Sequence, residues 1–211
     1  MRRMIWAATL VAATPAAFAQ TGSGETGSYW SLGAGITGES EFDYDFPGGN
    51  VEADTNAGFG LSAAYGIHVS PNLRTEIAFS WNKAEIDIVR RFGGPQILIY
   101  EAPGDVVSYM LGANVYWDFA TSGPMRPYVG AGIGLGMIDV NDRVISESAF
   151  GWKWQAMAGV DIPVTDGASV FVEGRYEALS RKVGDGLGFA GASDNFRNET
   201  AGIHAGMRFG M

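Results

Sequence analysis

The chain has 211 residues, with Lys+Arg 14 against Asp+Glu 23, two His and no Cys. The missing cysteine excludes a disulfide scaffold, thiolate metal sites and a Cys nucleophile, and a net charge of −9 excludes the basic footprint that nucleic-acid binding needs. At 46% hydrophobic and 18% charged the chain is too apolar for disorder, its length suits one domain, and its 31 Gly are about twice the usual share.

Met1-Arg2-Arg3 is a short basic start, Met4 to Ala13 is an uncharged apolar run, and Ala17-Phe18-Ala19 sets small residues two apart before Gln20. This is the layout of a secretory signal, so residues 1–19 are expected to be cleaved after Ala19. A spanning helix needs roughly 20 apolar residues, which this run does not supply. Loss of Arg2 and Arg3 leaves 12 basic against 23 acidic residues, a net −11 for the exported chain. Residues 20–27 then read as a polar linker, and residues 28–211 as the folded domain.

No later segment is apolar for long enough to cross a bilayer as a helix. Instead the sequence alternates with period two, the strand signal. Trp30, Leu32, Ala34 and Ile36 make one face of the first segment; Phe59, Leu61, Ala63, Tyr65 and Ile67 make one of the second. Ile77, Phe79 and Trp81 oppose Arg74, Glu76 and Ser80; Tyr109, Leu111, Val115 and Trp117 oppose Met110, Asn114 and Asp118. Further on, Val129, Ile133 and Leu135 oppose Gly130, Gly132, Gly134 and Gly136, and Trp152 and Trp154 oppose Lys153 and Gln155. Val170, Val172 and Tyr176 oppose Phe171, Glu173, Arg175 and Glu177, and Ile203, Met207 and Phe209 oppose His204 and Arg208. These are about eight candidate strands of roughly the 9–11 residues that a tilted membrane strand requires.

The connections alternate in length. Val69 to Asn72, Ala120 to Met125 and Pro163 to Gly167 are short and rich in turn residues, whereas Gly38 to Thr55, Ala84 to Gly104, Asp139 to Ser148 and Ser180 to Arg197 are long. An eight-stranded antiparallel up-and-down transmembrane β-barrel predicts this order, with short periplasmic turns and long outer loops. A soluble sandwich gives no reason for it.

The aromatics test that reading. Trp30, Tyr65, Trp117, Phe119 and Phe209 fall at the short-turn end of the apolar face, and Trp81, Tyr109, Trp152, Trp154 and Tyr176 toward the long-loop end. Between them lie mostly Leu, Ile, Val and Ala. Two girdles around an aliphatic band suit the two interfaces of a bilayer, because Trp and Tyr have an apolar body and a polar handle.

Pro127-Tyr128-Val129-Gly130-Ala131-Gly132-Ile133-Gly134-Leu135-Gly136 resembles the fifth-strand motif of small opacity-type, OmpA-like outer-membrane barrels. Leu111 to Asp118 before it and Trp154 to Asp161 after it resemble the neighbouring strands of that family. The resemblance covers about residues 28 to 211 and implies a Gram-negative outer-membrane surface antigen. It also implies contact with outer-membrane lipid and lipopolysaccharide, and with the barrel assembly machinery during biogenesis. The chain departs from the family at its end. Such barrels commonly finish on an aromatic residue, whereas Met211 is last here and Phe209 stands two residues earlier.

An eight-stranded barrel is just wide enough for side chains to fill. The glycines of the fifth strand leave room for Arg74, Lys153, Arg175 and Arg208 to reach Glu76, Asp118, Glu173 and Glu177, and burial demands that these charges pair. The expected interior is therefore a structural plug. The alternative is a narrow porin-like path for ions or small solutes. Outside, Glu39, Glu41, Asp43 and Asp45 alternate with Phe42, Tyr44 and Phe46, a projecting hairpin whose exposed edges offer pairing to a host or surface ligand. No calcium-loop spacing accompanies these acids, so no metal or other cofactor is expected.

His68-Val69-Ser70 resembles the His-x-Ser element of outer-membrane lipid A deacylases, but it falls at a periplasmic turn, across the membrane from that substrate. Catalysis by Ser also needs a base held by a third group. The sequence therefore reads as a non-enzymatic surface protein whose barrel anchors acidic, aromatic hairpins for envelope integrity or adhesion.

Overall fold

The computed structural model describes residues 27–46, 49–93, 96–100, 104–119, 123–142, 146–182 and 196–210. The expected signal, most of the linker and Met211 lie outside the described residues.

Alternating sequence becomes strand throughout: β1 (Ser28–Thr37), β2 (Ser40–Phe46), β3 (Gly49–Thr55), β4 (Gly58–Ser70), β5 (Leu73–Gly93), β6 (Gln96–Tyr100), β7 (Gly104–Asp118), β8 (Arg126–Asp142), β9 (Ser146–Thr165), β10 (Ala168–Lys182) and β11 (Phe196–Gly210). No helix occurs among the described residues. Eight of the strands form a closed antiparallel barrel in the order β1-β4-β5-β7-β8-β9-β10-β11, with β11 returning to β1. The seam runs from Tyr29↔Gly210 to Thr37↔Gly202, so closure leaves no edge within the barrel wall.

The walls are inside-out. Among the described residues 23 large hydrophobic side chains are exposed, while 16 polar or charged residues are buried. Ile77 at 65%, Leu111 at 59%, Leu32 at 58% and Ile133 at 57% exposed point away from the axis. Only a lipid solvent makes that arrangement favourable. From Trp117 to Tyr109 the strand β7 advances eight residue steps, about 20 Å along the membrane normal at the usual rise and tilt. Lys83, Glu85 and Asp105 stand on the same outer face just beyond Trp81 and Tyr109, with Lys83 Nζ 2.8 Å from Asp105 Oδ2. Charge thus begins where the outer aromatic girdle ends.

Two sequence expectations change. The barrel strands run 10 to 21 residues rather than 9–11, because long stretches expected as loops remain paired above the membrane. β3 pairs β5 from Gly49↔Gly93 to Thr55↔Ile86, and β2 pairs β11 from Phe42↔Asn198 to Tyr44↔Phe196. The β2–β3 hairpin is therefore wedged between two barrel strands, its β3 edge paired along its length and its β2 edge paired over Phe42 to Tyr44. Backbone groups that leave the bilayer still gain from a partner, and tall neighbours supply one. The turn expected over Pro163 to Gly167 also narrows. β9 continues to Thr165 through a register shift beside Ser169, leaving Asp166-Gly167 as a two-residue connection, a pairing that favours tight hairpins.

Candidate functional site in the barrel interior

Inward positions of eight strands converge on the axis, and those near the periplasmic end meet first. Arg74 of β5 donates through Nε to Asp118 Oδ1 at 3.0 Å and Oδ2 at 3.1 Å. Its Nη1 lies 3.2 Å from the hydroxyl of Tyr29 and 3.4 Å from Glu76 Oε1. Tyr29 donates to the same Glu76 oxygen at 2.8 Å. The Arg74 guanidinium also lies 4.2 Å from the ring centre of Tyr116 and 4.6 Å from that of Tyr128. A planar, weakly hydrated cation is suited to this sandwich of rings and carboxylates.

A second branch starts at Asp161. Arg208 Nη1 stands 2.5 Å from Asp161 Oδ1, Ser169 donates to that oxygen at 2.9 Å, and Arg208 Nη2 reaches the Tyr128 hydroxyl at 3.2 Å. Tyr128 donates onward to Glu173 Oε2 at 3.1 Å, and Arg175 Nη2 donates to Glu173 Oε1 at 2.8 Å. Toward the outer end Lys153 Nζ pairs with Glu177 Oε2 at 2.6 Å and donates to Ser108 at 2.9 Å. Arg175 connects the levels, 3.8 Å from Glu177 Oε1. In the middle, Gln155 donates to Asn114 Oδ1 at 2.6 Å. Above Lys153 the inward residues Ile86, Val106, Ile138 and Leu179 are buried, ending the polar column in aliphatic side chains.

Four cations (Arg74, Lys153, Arg175, Arg208) thus share the lumen with five carboxylates (Glu76, Asp118, Asp161, Glu173, Glu177). Each cation has an anionic partner, as burial requires. A cavity among Glu76, Asn114, Glu173, Arg175 and Arg208 gives a water centre about 10 Å³ in which to move, room for roughly one molecule. Among the described residues no group of three or more His, Asp and Glu gathers to hold a metal ion.

The glycine column of β8 faces Lys153 and, in place of the three expected arginines, Tyr116 and Asn114. A side chain at Gly130 would run into the Tyr116 ring, one at Gly132 into Asn114, and one at Gly136 would stand 3.0 Å from Lys153 Cβ. Space is made for Tyr116, Asn114 and Lys153, while Arg74, Arg175 and Arg208 enter from other strands. Sequence reasoning left out Asp161, Tyr29, Tyr128, Asn114 and Gln155. Their inward parity was visible, but no local pattern told which of them would meet across the axis.

On the outer wall Trp30 (51% exposed) packs 5.0 Å from Tyr65, and Trp117 lies at the same end. At the other end Trp81 packs edge-on to Phe59 at 5.2 Å, and Trp154 packs on Tyr176 at 5.4 Å beside Trp152. Phe209 sits half-buried beside Trp30. Glu39 is exposed; Glu41, Asp43 and Asp45 lie in β2, with their side chains outside the described residues. His68 turns its Nδ1 to the Gly27 carbonyl at 3.2 Å, and among the described residues no carboxylate is hydrogen-bonded to it.

Residues 6–209 match the outer membrane protein beta-barrel domain. The chain belongs to this family. Among solved structures, this outer-membrane barrel is similar to Neisserial surface protein A (NspA), with a TM-score of 0.53 at 20% identity, covering 87% of this chain and 97% of that one. It is similar to OprG of Pseudomonas aeruginosa, with a TM-score of 0.55 at 12% identity over 88% and 96% of the two chains. It is also similar to the outer membrane protease OmpT of Escherichia coli, with a TM-score of 0.50 at 9% identity over 88% and 97%. At such identities the likeness is one of fold, and that fold carries a protease in one case. No curated protein matches the chain in sequence. Family and fold place it among the outer-membrane barrels of Gram-negative bacteria.

Proposed function

We propose that the barrel is a sealed, non-enzymatic anchor that holds a tall β-sheet on the outer surface, for envelope integrity or adhesion. The observation that carries this reading is the filled lumen. A continuous path for ions needs water along the axis, whereas the cavity among Glu76, Asn114, Glu173, Arg175 and Arg208 has room for about one molecule. Among the described residues, paired charges and the buried Ile86, Val106, Ile138 and Leu179 pack the lumen on either side of it. Against catalysis, the one described His68 side-chain hydrogen bond goes to the backbone carbonyl of Gly27 rather than to a carboxylate.

Planar bilayers containing the purified, refolded protein test the seal. Conductance is expected to stay at baseline. Stable, reproducible single-channel steps would overturn the anchor and establish the channel. Lipid A from cells expressing the protein is expected to keep its mass; a change that disappears with Ser70→Ala would establish an enzyme.

A further inference from the structure

Above the bilayer the chain carries a sheet edge that no described strand closes. β6 pairs β5 from Gly93↔Gln96 to Val89↔Tyr100, and no strand among the described residues lies on its other side. Lower in the same column, β7 is covered by β8, but that pairing stops at Gly104↔Asp142. β6 is thus the end of the outer sheet that also contains β5, β3 and β2.

Gln96-Ile97-Leu98-Ile99-Tyr100 has no charge, Pro or Gly, so it lacks the devices that keep sheet edges from pairing. The chain as a whole carries −9. This strand itself adds no charge that would repel a second copy. Two residues separate Gly93 from Gln96, which makes them the hydrogen-bonded pair beside a tight turn. Bonding then alternates along the ladder, leaving the N–H and C=O of Ile97 and Ile99 directed at the open edge.

We propose that β6 pairs antiparallel with β6 of a second copy of this chain, about a two-fold axis through Leu98. Gln96 then stands opposite Tyr100, Ile97 opposite Ile99, and Leu98 opposite its own copy. Ile97 of one chain and Ile99 of the other exchange their outward N–H and C=O groups, and no like charges meet. β6 continues the ladder of β5 and keeps a tilt of about 40° to the membrane normal. Two barrels in one membrane, related by an axis along the normal, would cross these strands at roughly 80°. An axis lying in the membrane plane sets them antiparallel. The pairing therefore joins barrels in facing membranes, and the adhesive partner is the protein itself. This rests on the reading of the barrel as an anchor for an outward sheet.

The test uses the mature chain refolded into phosphatidylcholine vesicles, with clustering followed by light scattering and folding checked by heat-dependent gel migration. Wild-type vesicles are expected to cluster. Ile99→Pro removes an outward N–H and is expected to lower clustering by at least about fivefold. Leu98→Lys vesicles and Leu98→Glu vesicles should each stay dispersed, because like charges face each other at the axis, whereas a mixture of the two should cluster again. Dispersed wild-type vesicles, normal clustering of Ile99→Pro, or a mixture that stays dispersed would each overturn the pairing. A conducting barrel that clusters defeats the sealed anchor alone; a sealed barrel whose vesicles stay dispersed defeats the pairing alone.

Discussion

Lys153 of β9 and Glu177 of β10 form a 2.6 Å ion pair at side-chain exposures of 2% and 5%, deep in a barrel whose outer face is greasy. Removal of one partner leaves a charge stranded out of reach of bulk water. Lys153→Met is therefore expected to destabilise the barrel by about 3–5 kcal/mol, and Lys153→Met combined with Glu177→Leu to recover most of that loss. Urea unfolding in detergent micelles reads both. Equal losses in single and double variants would mean that the pair does not act as a unit.

The glycines divide by which side of the wall their missing side chains would occupy. Gly130→Ala drives a methyl into the Tyr116 ring and is expected to cost about 1–3 kcal/mol. At Gly174 the nearest atom to a new Cβ is the Ala158 carbonyl oxygen at 3.7 Å, so Gly174→Ala should fold as well as wild type. Thermal unfolding of the two side by side separates a filled lumen from an empty one, in which both changes would be harmless.

Ile133 is 57% exposed near the middle of the apolar band. On a soluble protein, Ile133→Lys at such a position would change stability little. In a bilayer the charge is expected to cost about 2–4 kcal/mol. Guanidinium unfolding in lipid vesicles measures it, and a neutral result would remove lipid as the solvent of that face.

Topology follows from loop placement. A Cys introduced at Asn50 or Asn141 is expected to react with an impermeant maleimide added to whole cells, and one at Asp166 to react only after the outer membrane is opened. Labelling of the Asp166 variant on intact cells would invert the barrel.

How far the sequence reaches can be judged at single positions. The alternation of Ile133 and Leu135 with Gly132 and Gly134 assigned the two faces of β8, because successive side chains on a strand must point to opposite sides. The turn residues over Pro163 to Gly167 and the alternation of short with long connections likewise set the order of strands. By contrast, the pairing of β3 with the upper half of β5 was hidden, since partnership above the membrane is decided by a neighbouring strand rather than by local periodicity.

Sequence alone thus determined an exported, acidic chain of membrane strands with lipid-facing and lumen-facing sides. Tertiary structure decided that Arg74 meets Asp118 and Tyr29, that Asp161 belongs with Arg208, that β2 and β3 fill a gap between β5 and β11, and that β6 has one edge that no described strand pairs. The reason is that facing is a property of one strand's pleat. Partnership across the lumen depends on the stagger with which all eight strands close, and no single segment carries that information.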